Sequence, residues 1–105
     1  MTDPTDAISK NGIPIRLPDE RWSHIMEEYG ELALMREQIL LTISDPDRIF
    51  LGNFGEFMAI HEIEAGKYIV VVYRELEDDG FIITAFLTRR IRSLEKRVHI
   101  WPSSV

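Results

Sequence analysis

Three histidines, His24, His61 and His99, carry the side chains here whose ordinary pKa lies near neutrality, and they suit proton transfer. Arg74, Arg89 and Arg90 present planar guanidinium forks that match a phosphate, and Thr84 and Thr88 carry hydroxyls able to orient one. The chain has no cysteine, which excludes a thiolate nucleophile, a thiolate zinc site and a disulfide. The histidines show no metal-ligand spacing, and His24 with Glu27 or Glu28 supplies two ligands at best. No glycine-rich phosphate loop, G-x-S-x-G elbow or dinucleotide fingerprint occurs. No metal and no cofactor is therefore expected. The chemistry left is proton transfer and anion binding by side chains.

Hydropathy patterning gives the elements that must position these groups. Residues 1–12 are polar, contain Pro4 and end in Asn11-Gly12, so they read as a flexible tail ahead of a single domain over 13–105. Ile13, Ile15 and Leu17 alternate with Pro14 and Arg16 as a short strand, which Pro14 assigns to an edge. Pro18-Asp19-Glu20 starts a helix, with its acidic groups at the positive end of the dipole. Trp22, Ile25, Met26 and Tyr29 then form one helical stripe, which Gly30 ends; His24 lies opposite that stripe. Leu32, Met35, Ile39 and Ile43 mark a second helix, widened by Leu34, Leu40 and Leu41 and stopped by Asp45-Pro46.

After Pro46 the period changes to that of strands. Runs at 49–51, 57–63, 68–76 and 81–87 are separated by Gly52-Asn53, Ala65-Gly66 and Asp78-Asp79-Gly80, all turn chemistry. The run from Tyr68 to Tyr73 does not alternate and so belongs to a central strand covered on both faces. Arg74 shares a face with Tyr68, Val70 and Val72, and His61 alternates with Phe57, Ala59 and Ile63. Thr84 and Thr88 share a face with Ile82 and Phe86, opposite Phe81, Ile83, Ala85 and Leu87. A short basic helix over 88–96 and a last strand over 98–101 complete the set. The expectation is an α+β domain, with two N-terminal helices on a mainly antiparallel sheet of about four strands and a short basic C-terminal helix.

Leu, Ile, Val and Phe total 33 of 105 residues, about 31%, well above the roughly 20% below which chains stay disordered. The apolar runs are too short to span a membrane, no signal peptide is read before Pro14, and the absence of cysteine fits a cytoplasmic protein. The net charge of −6 conceals a split: residues 1–66 hold five basic and thirteen acidic groups, whereas residues 67–105 hold seven basic and five acidic. Arg89, Arg90, Arg92, Lys96 and Arg97 stand against Glu95 alone. That run reads either as a solvated helix face or as the place where an anion lands.

Three segments together, RWSHI at 21–25, TISDPDRI at 42–49 and KYIVVVYRELEDDGFIITAFLTRR at 67–90, resemble the small phage- and toxin-type members of the barnase–EndoU–colicin–RelE-like ribonuclease superfamily. Members pair a W-x-H-I helix and an aspartate–proline turn with an antiparallel sheet that ends in a glycine–aliphatic–T-A-aromatic strand. The resemblance covers roughly residues 13–102. Tyr29-Gly30 stands where relatives often carry a second histidine followed by proline.

The resemblance implies a small metal-independent ribonuclease, plausible as the toxin of a toxin–antitoxin pair. Such cleavage needs a base for the 2′-hydroxyl, a cation for the crowded phosphate and an acid for the 5′-oxygen. His24, His61, Arg74, Thr84 and Thr88 are the catalytic candidates it implies, with Lys67, Arg89 and Arg90 as RNA-binding residues. Each has a plainer reading. His24 can be a solvated histidine beside Glu20 and Glu28, His61 a satisfied histidine at the core edge, and Arg74 a surface partner of Glu75 or Glu77. The threonines can be ordinary strand packing. The rival function is a catalytically inactive interaction module on the same fold that binds a protein partner. Trp22, Tyr29, Phe50, Phe54 and Phe57 are many large groups for a small interior, which suggests a homodimer or an antitoxin complex.

Overall fold

A computed structural model describes residues 6–102. Among them the chain order is β1 (Ala7–Ile8), β2 (Pro14–Arg16), α1 (Asp19–Glu28), a 3-10 turn (Gly30–Leu32), α2 (Arg36–Ser44), β3 (Arg48–Leu51), β4 (Phe57–Glu64), β5 (Lys67–Glu75), β6 (Gly80–Thr88), α3 (Ile91–Glu95) and β7 (His99–Trp101). The class is α+β, as expected. The sheet of about four strands is not: seven strands join in the order β1-β2-β6-β5-β4-β3-β7.

Strands β3 to β6 form the antiparallel meander that the apolar runs and their turns dictate. Of the three added strands, β2 and β7 are the short strands expected at 13–17 and 98–101, here joined to the same sheet; β1, of two residues, is too short to carry an alternating pattern. β7 pairs antiparallel with β3, and β2 pairs parallel with β6 through Ile15 and Arg16. Gly80 permits that parallel contact, because a Cβ there would collide with the Arg74 carbonyl and the Ile15 side chain. Pro14 lies one strand in from the edge, since Ala7–Ile8 pairs outside it.

Residues 6–12 are therefore part of the domain and not a flexible tail; residues 1–5 lie outside the described residues. The physical reason is side-chain anchoring of a polar segment. Asp6 accepts the Leu17 amide at 2.7 Å, and Ser9 and Asn11 bond the Glu75 carboxylate. The Lys10 ammonium lies 4.7 Å from the Trp101 ring. This contact joins the first hairpin to the last strand, so the sheet curls until its two edges approach.

The central run Ile69–Tyr73 is buried throughout, and its alternating side chains feed two cores. On the first face Ile69, Val71 and Tyr73 pack with Ala59, Ile82 and Ala85 beneath Ile25, Leu32, Ile39 and Ile43 of the helical layer. On the second face Val70 and Val72 pack with Phe50, Met58 and Ile60 beneath Leu94 of α3. Each fully buried isoleucine contributes about 1.5–3 kcal/mol of apolar transfer free energy.

α1 buries Ile25, with Trp22 and Tyr29 half-buried beside it, as its stripe requires. α2 starts later than its stripe, at Arg36, because the 3-10 turn after Tyr29 takes Leu32. Leu34 is 96% exposed and Leu41 is exposed as well, so these two do not widen the buried face. Phe50 is buried and Phe57 packs on the core, so the interior absorbs most of the large aromatics that suggested an association surface. Phe54, 82% exposed, does not join them.

Candidate functional site

The register of β6 decides which hydroxyls share a surface. Val72 pairs with Thr84 but Tyr73 pairs with Ile82, so Ile83 is an extra residue and the strand bulges there. Ile82 consequently turns into the first core, while Ile83 joins the second. Thr84, Phe86 and Thr88 stand opposite Val72, Val70 and Tyr68 on the second face. The expected grouping of Thr84 with Ile82 fails at this bulge, which strict alternation cannot anticipate. All three of Thr84, Phe86 and Thr88 are half-buried.

The chain leaves β6 at Thr88 directly into the basic run. The Arg90 amide donates to Thr88 Oγ1 at 3.0 Å, which leaves the hydroxyl proton for another acceptor. Ser93 Oγ donates to the Arg90 carbonyl at 3.0 Å and fixes the start of α3. Arg89, Arg90, Ile91, Arg92, Ser93 and Lys96 line a cleft of about 430 Å³. Glu95, the one acid of the run, is bound to Arg48 of β3 at 2.9 Å. Among the described residues no carboxylate lies within 4.0 Å of the cationic groups of Arg89, Arg90, Arg92 or Lys96. Their positive charge is uncompensated, which is what an anion needs.

Lys67 opens β5 beside Tyr68, which pairs with Thr88, so Lys67 and Arg89 emerge at the same end of the sheet. Arg74 emerges at the other end, about 20 Å along the strand at 3.4 Å per residue. Its guanidinium donates to the Phe54 carbonyl at 3.2 Å. Glu75, one of the ion-pair partners considered for it, accepts from Ser9 and Asn11 instead. Arg74 therefore does not join Thr88 and Arg89.

The histidines are dispersed. His61 points to the first face, where its Nδ1 lies 3.2 Å from Asp47 Oδ1, and Asp47 Oδ2 also accepts the Glu62 amide at 2.7 Å. This is the satisfied core-edge histidine, and it is turned away from Thr84 and Thr88. His99 is exposed on β7, with Nε2 2.8 Å from the Pro102 carbonyl. His24 is exposed on α1, as its off-stripe position requires, and α1 anchors itself through Ile25 on the face opposite Thr84. It is Tyr29, the residue that caps the end of α1, that reaches the second face, with its ring 6.3 Å from that of Phe86. Sequence reasoning treated Tyr29 only as part of the buried stripe.

Among the described residues no group of three or more His, Asp and Glu side chains is placed to hold a metal ion, and no helix is long and apolar enough to cross a membrane. The arrangement thus offers hydroxyls, an aromatic ring and uncompensated cations on one surface, with proton-transfer groups less closely gathered. Comparison of the chain with family models, curated proteins and solved structures gives no match.

Proposed function

We propose that this domain is a small ribonuclease that lays RNA across the second face of its sheet and cleaves it by side-chain proton transfer. A toxin held by an antitoxin partner is the biological setting that the motif order implies. The observation that carries the reading is the junction at Thr88, where a strand presenting Thr84, Phe86 and Thr88 runs into Arg89, Arg90, Arg92 and Lys96, which have no carboxylate partner among the described residues. Arg89 and Arg90 neutralise a phosphate, the Thr88 hydroxyl donates to one of its oxygens, and the Phe86 ring offers a base a stacking surface. Cleavage in this reading requires RNA leaving the second face to meet His24, exposed on α1 on the other side of the sheet, by passing the β6 edge where Tyr29 packs over Phe86.

A second reading, RNA or protein binding without cleavage, draws on one specific observation. His61 is committed to Asp47 on the first face, His24 rides on the helix that packs on that same face, and His99 lies against Pro102, so no contact brings a histidine to Thr84 or Thr88 among the described residues. The two readings separate in one assay, with purified protein, end-labelled single-stranded RNA and excess chelator. The ribonuclease reading expects cleavage by the wild type and none by His24→Ala, with thermal stability unchanged because His24 is exposed. Binding without cleavage across pH 5 to 8 selects the second reading. Growth arrest on induced expression, lost in His24→Ala, tests the toxin setting.

A further inference from the structure

The hairpin tip between β3 and β4 holds the most exposed aromatic side chain of the described residues, Phe54, and holds it on an ordered loop. The Gly52 amide donates to the Glu56 carbonyl at 2.7 Å, and the Phe54 amide donates to Glu56 Oε1 at 2.8 Å. Gly52 allows the Glu56 side chain to fold back, because a Cβ at that position would strike it. Gly55, at φ +85°, supplies the left-handed residue that reverses the loop. Two guanidiniums clamp the tip from outside: Arg74 on the Phe54 carbonyl and Arg97 on Asn53 Oδ1 at 2.8 Å. A large apolar ring exposed on so constrained a loop loses little further entropy when something stacks on it.

Arg97 also ends the basic run that begins at Arg89, so α3 and its flanks form one cationic path from Thr88 to this tip. We infer that Phe54 is a base-stacking subsite for single-stranded RNA, at the far end of the path along α3, with Arg74 and Arg97 beside it for the backbone. The inference rests on the RNA reading of the second face and gives it a length and a direction. It also accounts for the place of Arg74, which serves the distal end and not the Thr88 end. A protein pocket would also accept an exposed phenyl ring. Two flanking guanidiniums and the continuous basic approach favour a polyanion whose bases have π faces.

The test is fluorescence anisotropy with labelled single-stranded RNA of about a dozen nucleotides, a length that matches known single-strand site sizes. Phe54→Ala and Phe54→Leu are expected to weaken binding about tenfold, the loss typical of one stacked base, without change in the salt slope or melting temperature. Phe54→Trp retains affinity because it stacks as well. Arg97→Ala lowers the salt slope instead, by about 0.7 for a single strand. Wild-type affinity in Phe54→Ala, while the wild type binds RNA, overturns the stacking subsite and leaves the RNA reading standing. Full affinity in Phe54→Leu overturns stacking in favour of a generic apolar contact. Absence of RNA binding by the wild type at low salt overturns both.

Discussion

The two faces of the sheet are built from alternate residues of the same strand and end up unlike. Ile69, Val71 and Tyr73 meet a full helical layer, and their face closes into a core ringed by satisfied polar contacts such as His61 with Asp47. Val70 and Val72, one residue away in each case, meet only the five-residue α3. That helix covers the β3–β5 side through Leu94 and leaves the β6 side, with Thr84, Phe86 and Thr88, half-open. Both faces hold a buried core, but only the second leaves a stretch of strand beside it, with polar groups and charge, uncovered.

Breaking the first face should have the largest effect. Ile69→Ala removes a fully buried side chain under α2 and is expected to cost about 2–5 kcal/mol in denaturant unfolding, as large-to-small core changes do. RNA affinity per folded molecule should stay the same. If affinity falls along with stability, the two faces are not separable.

Next in size is the charge on the second face. Arg89→Ala and Arg92→Ala should each weaken RNA binding and lower the slope of log K against log salt by about 0.7, with unfolding midpoints unmoved. An unchanged slope means that these side chains are the solvated helix face that composition alone also permits.

A smaller effect is expected at the rim of the first face. Asp47→Ala loses both the His61 contact and the acceptor for the Glu62 amide; at this exposed site the cost is about 1 kcal/mol. RNA affinity and any cleavage should not change. Loss of cleavage in this variant returns His61 to the catalytic set.

The smallest effect concerns the Phe54 tip. Its own backbone amide and then that of Phe54 hold the Glu56 carboxyl below its ordinary value of 4.5, and Arg74 and Arg97 add to this. A folded-state pKa below the unfolded one stabilises fully above that ordinary value and loses the contribution as pH falls through the folded value. The protection factor of the Phe54 amide, its exchange rate relative to the intrinsic rate at the same pH, should therefore fall in acid below the ordinary carboxylate range, and Glu56→Gln should flatten that dependence.

The sequence made the central meander legible because Lys67–Glu75 is long, apolar and bounded by turn residues. The helices were legible through stripes that include Ile25, Ile39 and Ile43, all fully buried. Other features carried no such signal. Ala7–Ile8 is too short for a period, and its order comes from side chains of Asp6, Ser9 and Asn11 that bond residues distant in sequence. The β6 bulge shifts Ile82 off the Thr84 face by one residue, and pairing, not composition, creates it. For the site, residue types pointed to Arg89, Arg90 and Thr88, which are local neighbours. They could not separate Arg74 or His61 from these, because which end or face of the sheet a side chain reaches is settled by topology.

The most direct measurement is a titration of isotopically labelled protein with short single-stranded RNA at low salt, followed by NMR. Amide and methyl shifts are predicted at Thr84, Phe86, Thr88 and Arg89 through Arg97, and at Phe54 with longer RNA, while Asp47, His61 and Glu62 stay fixed. Shifts centred on α2 and the His61–Asp47 rim, or none at all at millimolar RNA, would contradict the assignment of function to the second face.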